Sequence, residues 1–539
     1  MGIIDWMIVA LFLLGLTAIG FFFSRKNRNM EDYFVAGRSM PTWLVALAAT
    51  GTSISAGTFV GSPELGFNTN ITFIMSCVGA VIGGFFVALI VLPKLYRAQT
   101  ITIYGYIGER FGDPSKRASS VMFLLGQLFT SGSRLFIAAI AVSVMAFGAI
   151  DFRFIMYSII ILGVISTIYT MAGGIKGLLY IDALQILLVV GTGVAALALV
   201  FSQLGMGLGE IVERLNAGMV KIPGQAAYAM AADGSMTGWE PGNKLQLMDP
   251  RFDITKPYNL AGALIAYAIF KFAQFSTDHE FVQRQLTCRS VKNAGVSLVY
   301  SQLMAIPIVF IFLSIGLLLY VKYTADPALG ASSGFFTDAR DVFPQFIRNG
   351  IPTGVRGIMI VGLLAAALSS FNSAINAMAS SFVSDLYLPI RQARGKAVST
   401  DAAQLGSSRK MAALMGLVLT GFAIVTAVMQ QASGLNLVDF ATGVMCFSYA
   451  GMLGVFITAL YTRRGNTRSV IAALAAGLMV VLLLQPYILT PLSTALFGRP
   501  LFIAWPWWCP IGALVSTAIC LSGRPEKRSL AASQSDTIG

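Results

Sequence analysis

Charge is what this sequence has least of. Only 11% of its 539 residues are Asp, Glu, Lys or Arg, against roughly 25% in a soluble globular domain. With a mean hydropathy of +0.75, such a chain is neither a single water-soluble domain nor a disordered one. The net charge of +13 is spread too thinly to mark a nucleic-acid surface. Histidine is nearly missing: His279 stands alone, which excludes a histidine metal cluster or an imidazole relay. Cys77, Cys288, Cys446, Cys509 and Cys520 lie in or beside apolar runs and form no CxxC pair, so neither a disulfide framework nor a zinc site is expected. No polar region is long enough to be a soluble catalytic domain, so an enzyme is not expected.

What the chain has instead is long apolar runs. A bilayer crossing needs about 20 apolar residues. One run covers 4–23, and twelve follow at 41–68, 71–93, 118–149, 154–172, 178–202, 259–278, 294–321, 354–385, 410–430, 435–461, 468–488 and 503–522. The pattern predicts an all-α integral membrane protein of about thirteen transmembrane helices: a leader span, core spans 1 to 10 (41 to 461) and two tail spans. The leader is not a signal peptide, because Arg25, Lys26 and Arg28 follow its apolar run instead of preceding it. Lys and Arg concentrate in 24–40, 94–117, 284–292, 391–410, 463–468 and 524–528, read as inner segments in which Arg284 is a loop cation and, just before it, His279 stands at an inner loop. The positive-inside rule then puts the N-terminus outside and the C-terminus inside. Segment 203–258 reads as a mixed outer loop with Gly and Pro, partly helical, 321–353 as a second outer loop, and 386–409 as a polar inner linker.

Four core spans depart from plain apolar composition. Span 1 carries Ala49-Thr50-Gly51-Thr52-Ser53-Ile54-Ser55-Ala56-Gly57-Thr58. Gly costs a helix about 1 kcal/mol relative to Ala, and Ser and Thr offer the backbone competing hydrogen bonds. Unwound backbone at membrane depth is tolerated only inside protein or along a cavity; the alternative is close packing by small residues. Span 8 places Ala366, Ser369, Ser370 and Ser373 on one face, either a packing stripe or a cluster of neutral oxygens for a small hard cation. Span 3 holds Arg134, too deep to snorkel, so it needs a partner: a buried carboxylate, helix-end carbonyls or the carboxylate of a substrate. Span 6 holds Lys271 near its middle, then Gln274 and, toward its inner end, Asp278, read as an interfacial cap. Asp182 starts span 5 about one turn from the inner interface, where a solvated acid is an equal reading. Spans 1 and 6, both interrupted, stand five spans apart. That spacing is expected of two inverted five-helix repeats with a binding site at the breaks.

These stretches, with others, form a recognisable set: Asp32-Tyr33-Phe34-Val35-Ala36-Gly37-Arg38; Thr52-Ser53-Ile54-Ser55-Ala56; Gly173-Gly174-Ile175-Lys176 through Tyr180-Ile181-Asp182-Ala183-Leu184-Gln185; Thr277-Asp278 with Val282-Gln283-Arg284; and Ala366 to Asn376 with Asp385-Leu386-Tyr387. On them the sequence resembles the sodium:solute symporter family over roughly residues 30 to 390. The resemblance implies a leucine-transporter-like 5+5 core with broken spans 1 and 6. It implies sodium as coupling ion, no organic cofactor, a small-molecule solute, membrane lipid as surroundings and no obligate protein partner. The implied location is the plasma membrane, a bacterial inner membrane.

Position by position, the family's sodium site falls on the carbonyls of Gly51, Ile54 and Ala366 and the hydroxyls of Ser369 and Ser370. A second sodium site, as in bacterial sialic acid symporters, matches Asp182, Ser369, Asn372 and Ser373, with Asn372 where those members usually have Ser. Solute contacts match Arg134, which pairs with a substrate carboxylate in such members, and Thr52, Ser53, Ser55 and Thr58. Lys271 and Gln274 line up near the substrate wall. Sugar-transporting relatives use a Gln where Thr58 stands and an acid in span 2; this span 2 has no acid and reads Ser76-Cys77-Val78-Gly79-Ala80, which argues against a sugar held in that way. The implied function is sodium-coupled import of an organic anion such as a sialic acid. A neutral solute, a proton-coupled carrier using Asp182, and a membrane sensor on the same fold are the alternatives. The expected organisation is leader and loop (1–39), first repeat (40–202), outer loop (203–258), second repeat (259–461), tail spans (462–522) and a disordered inner tail (523–539).

Overall fold

A computed structural model describes residues 2–24, 30–98, 101–222, 228–394, 401–433 and 435–524. The leader cations Arg25, Lys26 and Arg28, the middle of the 386–409 linker and the tail from 525 onward lie outside these residues. The described chain is a bundle of helices. Eight are long and apolar enough to cross a membrane, and ten if each of two sharply bent pairs counts as one crossing. Of the remaining three expected runs, one holds a shorter apolar helix, Phe152–Ile168, and the other two hold the short helices Tyr267–Thr277 and Trp508–Ser522.

Core span 1 is two helices, Thr42–Ser53 and Gly57–Asn68, bent by 58°. Core spans 4 and 5 are limbs of one helix, Phe152–Leu204, broken at Gly174, whose φ of 61° belongs to the left-handed region. Side chains are strained there and glycine is not. Core span 6 does not end where its apolar run ends. Tyr267–Thr277 stops at Asp278, which is extended (φ −93°, ψ 115°) and caps a further helix, His279–Gln285, by accepting from the Glu280 N–H. Every residue of that helix is buried. Asp278 is therefore not the expected interfacial cap, and His279 and Arg284 are not loop residues. The physical reason is the cap itself, which turns the chain back into the bundle before it reaches a surface.

Long helices flank the broken ones: Phe73–Ala98 (span 2), Asp113–Phe147 (span 3), Val291–Ala325 (span 7), Val355–Ser381 (span 8), Gln404–Gln430 (span 9) and Leu437–Tyr461 (span 10). The leader Ile3–Ser24 is held by Asp5. Its buried carboxylate accepts from the Gly354 and Gly357 amides at 2.8 and 3.0 Å and from Arg356 Nε at 3.1 Å, at the start of span 8. The first tail span bends by 75° into Pro486–Phe497, a helix begun by a proline at its first turn, where no N–H is missed. Segment 203–258 carries one helix, Leu208–Asn216, and two small antiparallel ribbons, Met219–Lys221 with Trp239–Pro241 and Ala229–Met230 with Met236–Thr237. Segment 321–353 is largely helical: span 7 runs on to Ala325, and Pro327–Ser333 and Val342–Gly350 follow.

Candidate cation and solute sites

The break in span 1 frees backbone oxygens. Ile54 is extended (φ −90°, ψ 106°), and among the described residues no hydrogen bond reaches the carbonyls of Gly51, Thr52, Ser53 or Ile54. The N–H of Gly57 finds Ser55 Oγ at 3.2 Å, which restarts the helix. The Thr50 and Thr52 hydroxyls turn back on their own helix, to the Ala46 and Ala48 carbonyls at 2.8 and 3.0 Å. Thr52 is thus occupied locally, whereas Ser53, Ser55 and Thr58 line a cavity.

Span 8 meets that break from the side. A Cβ added to Gly51 would stand 3.3 Å from Ser369 Oγ and 3.1 Å from the Asp182 carbonyl oxygen. Glycine is what lets the two helices approach this closely. Ala366, Ser369, Ser370 and Ser373 are all buried. Ser369 Oγ donates to Asp182 Oδ1 at 2.7 Å, so its lone pairs are left for another partner. Ser370 Oγ makes only a long bond, 3.3 Å, to the Ala367 carbonyl. Neutral carbonyl and hydroxyl oxygens gathered out of water are a donor set for a hard cation of low charge.

The second set of residues is also together, but in different company. Asp182 is fully buried rather than solvated near a surface. Its Oδ2 takes a 2.8 Å hydrogen bond from Arg284 Nη2, which also touches the Ser373 hydroxyl, while Arg284 Nη1 donates to the Glu280 carbonyl at 2.8 Å. Ser373 Oγ bonds the Ser369 carbonyl at 2.6 Å. Asn372 Oδ1 accepts from Thr170 Oγ1 at 3.0 Å. The protein's own guanidinium thus stands at the acid of this set. Arg284 is thus not the inner-loop cation expected from its position after an apolar run; its place in the Val282-Gln283-Arg284 stretch is the sequence signal for it.

Beside the break lies a cavity of about 90 Å3, lined among others by Ser53, Ser55, Thr58, Cys77, Arg134, Lys271, Gln274 and Gln302. Arg134 is 3% exposed and gives Nη1 to both oxygens of Glu280 at 3.2 Å, while its Nε has no partner among the described residues. Glu280 adjoins a second buried acid. Asp278 accepts from Gln127 Nε2 at 2.9 and 3.0 Å, from the Glu280 N–H at 2.9 Å and from the Tyr449 hydroxyl. Lys271 donates to Gln274 Oε1 at 2.7 Å.

A larger cavity of about 640 Å3 lies beyond, walled by segment 203–258, the end of span 1, the start of span 10 and the tail. Between the two cavities Asp439 accepts from the Tyr258 hydroxyl and, at 2.9 Å, from Trp505 Nε1. Phe73 and Tyr267 of the smaller cavity pack on Tyr258 and Trp505 respectively, with ring centroids 5.1 and 5.6 Å apart. In the larger cavity's wall, the Arg251 guanidinium beside Asp249 holds that carboxyl below its usual range.

Comparison with known proteins finds likeness over most of the chain. The family model described as "Sodium:solute symporter family" matches residues 33–477. The chain is 24% identical over 489 residues to the sodium/sialic acid symporter SiaT of Proteus mirabilis, covering 89% of each. It is 23% identical over 490 residues to the sodium/sialic acid symporter NanT of Aliivibrio fischeri, covering 89% of this chain and 87% of that one. Among solved structures, a sodium-coupled sialic acid symporter in a substrate-bound outward-open state superposes with a TM-score of 0.77 at 21% identity, covering 97% of both chains.

Proposed function

The chain belongs to the sodium:solute symporter family, and from that premise we propose that it imports an organic anion bearing a carboxylate, such as a sialic acid, together with sodium, across a bacterial inner membrane. The observation that carries the reading is the meeting of the span 1 break with span 8: unbonded carbonyls at Gly51 and Ile54, and Ser369 Oγ beside Gly51. The proposed sodium ligands are the carbonyls of Gly51, Ile54 and Ala366 and the hydroxyls of Ser369 and Ser370. The sialic acid symporters SiaT and NanT support the solute class, as does the Lys271 ammonium lining the cavity.

In this reading the halves 40–202 and 259–461 are the inverted repeats, and they rock about the site. Sodium ties span 1 of the first repeat to span 8 of the second, favours the state open to the outside and completes the solute pocket. The asymmetry is essential, since an ion that bound both states equally would shift neither. One net charge moved through 100 mV is worth about 2.3 kcal/mol; one sodium carried with a monovalent carboxylate moves no net charge, so the sodium concentration gradient drives that pair and the potential contributes only with a second sodium. The larger cavity is the outer vestibule, and the Tyr258–Asp439–Trp505 cluster closes it over the solute. The set at Asp182, Asn372 and Ser373 can serve a second sodium only when Arg284 withdraws from the acid.

The test is uptake of N-acetylneuraminate by proteoliposomes in sodium against choline. Ser369→Ala and Ser370→Ala are each expected to abolish the sodium-dependent component while the purified proteins keep their unfolding temperature. Sodium-driven uptake that survives in both variants removes the site assignment. Uptake driven equally by a pH gradient in choline makes the protein a proton carrier.

A further inference from the structure

Two cations line the smaller cavity, and only one has a counter-ion. Arg134 is paired to Glu280 through both carboxylate oxygens. Lys271 has no carboxylate within 4 Å among the described residues. Its one hydrogen-bond acceptor is the neutral amide oxygen of Gln274. The rings of Tyr267, Phe270 and Phe275 surround it, with centroids 5.4 to 5.7 Å from Nζ. Aromatic faces and an amide dipole offset part of the cost of burying an ammonium, but they are not a counter-charge.

The ammonium cannot leave to find one. Span 2 lies on span 6 backbone to backbone: a Cβ on Gly83 would come 2.6 Å from the Ala268 carbonyl oxygen and 3.1 Å from Lys271 Cβ. The span 2 side chains that border the cavity, Phe73, Cys77 and Ala80, carry no charge. An ammonium has three N–H donors; one is spent on Gln274, and two remain at the cavity wall.

We propose that Lys271, and not Arg134, is the residue that makes this carrier select an anion: its two remaining donors take the solute carboxylate. Arg134 is then a positioning residue. Its charge is balanced inside the protein, and it holds Glu280, and through it the Asp278 turn, against span 3. The inference rests on the organic-anion reading and reassigns the charge recognition within it.

The experiment measures sodium-driven uptake and thermal shift for N-acetylneuraminate and its uncharged methyl ester, with lactate and pyruvate as further carboxylates. Lys271→Gln is expected to raise KM for the acid by about 10- to 100-fold, the range for a lost hydrogen bond to a charged group, and to leave the ester little changed. Lys271→Arg should restore the preference for the acid. Arg134→Gln combined with Glu280→Gln, which keeps the pair neutral, should affect acid and ester alike. Sodium-dependent thermal stabilisation of Lys271→Gln checks that it folds. An unchanged acid-to-ester ratio in Lys271→Gln, or a selective loss in the Arg134/Glu280 double variant, overturns the proposal. If the wild type takes up lactate or pyruvate but not N-acetylneuraminate, the sialic acid reading fails and Lys271 is judged on the carboxylate that is transported. If it responds to no carboxylate, both fail.

Discussion

Ser369 shows how much one hydroxyl can be asked to do. It has a single proton, and that proton goes to Asp182 Oδ1. Its oxygen is thereby turned, lone pairs outward, toward Gly51 and the loose carbonyls. Asp182 in turn is kept from standing as a bare buried charge by Arg284. Removing one partner of such a pair leaves the other uncompensated, at a cost of roughly 3–5 kcal/mol. Arg284→Met should therefore lower the unfolding temperature of the purified protein strongly, and Asp182→Asn with Arg284→Met should recover most of the loss. A double variant no better than the single one would mean that the two side chains do not act as a pair. The exceptional residues of this site were only half legible in the sequence. Arg134 and Lys271 announced themselves, because a lone cation inside an apolar run has no cheap explanation. Asp278, Glu280 and Arg284 did not, because several charges directly after an apolar run look like the water's edge.

At the scale of elements, the break in span 1 was readable from chemistry alone: two glycines and five hydroxyl residues within ten positions weaken a helix wherever they sit. The break at Gly174 falls where the sequence already pauses, in the Gly173-Gly174-Ile175-Lys176-Gly177 stretch between the runs 154–172 and 178–202. The ribbons of segment 203–258 and the helix Pro486–Phe497 were not readable, because short strands and a proline-started helix owe their existence to what they pack on. Nor does sequence reveal how near two helices lie. Gly83 sits where even a methyl group would press on the Ala268 carbonyl oxygen and on the Phe272 amide nitrogen, at 2.6 and 2.9 Å. Gly83→Ala should force spans 2 and 6 apart at a cost of about 1–3 kcal/mol, the usual penalty of overpacking. It should read out as a lower unfolding temperature and a weaker acid-over-ester preference. A variant with wild-type stability would show that this crossing has room to give.

For the whole molecule, the expectation concerns which face is which. All five cysteines are free and buried, so a thiol introduced at the surface can be labelled against a silent background. Phe252 is well exposed on segment 203–258, and Arg464 sits in the short exposed turn between span 10 and the first tail span. With the N-terminus outside, Phe252→Cys should react with a membrane-impermeant maleimide on intact cells, and Arg464→Cys only after permeabilisation. The reverse pattern would invert the orientation and, with it, the roles given to the two cavities. The 5+5 plan was inferable from the spacing of two interrupted spans, and the helical bundle with its broken spans 1 and 6 matches that expectation in kind.

Trp505 belongs to neither half of the core, yet its indole holds Asp439 at the partition between the two cavities. The larger cavity's wall draws on Pro486, Phe502, Ala504 and Trp508 as well. During synthesis these residues leave the ribosome after everything else that borders the cavity. A chain that ends before Pro486 therefore lacks this side of the wall and the indole that holds Asp439, however completely the residues before it are made.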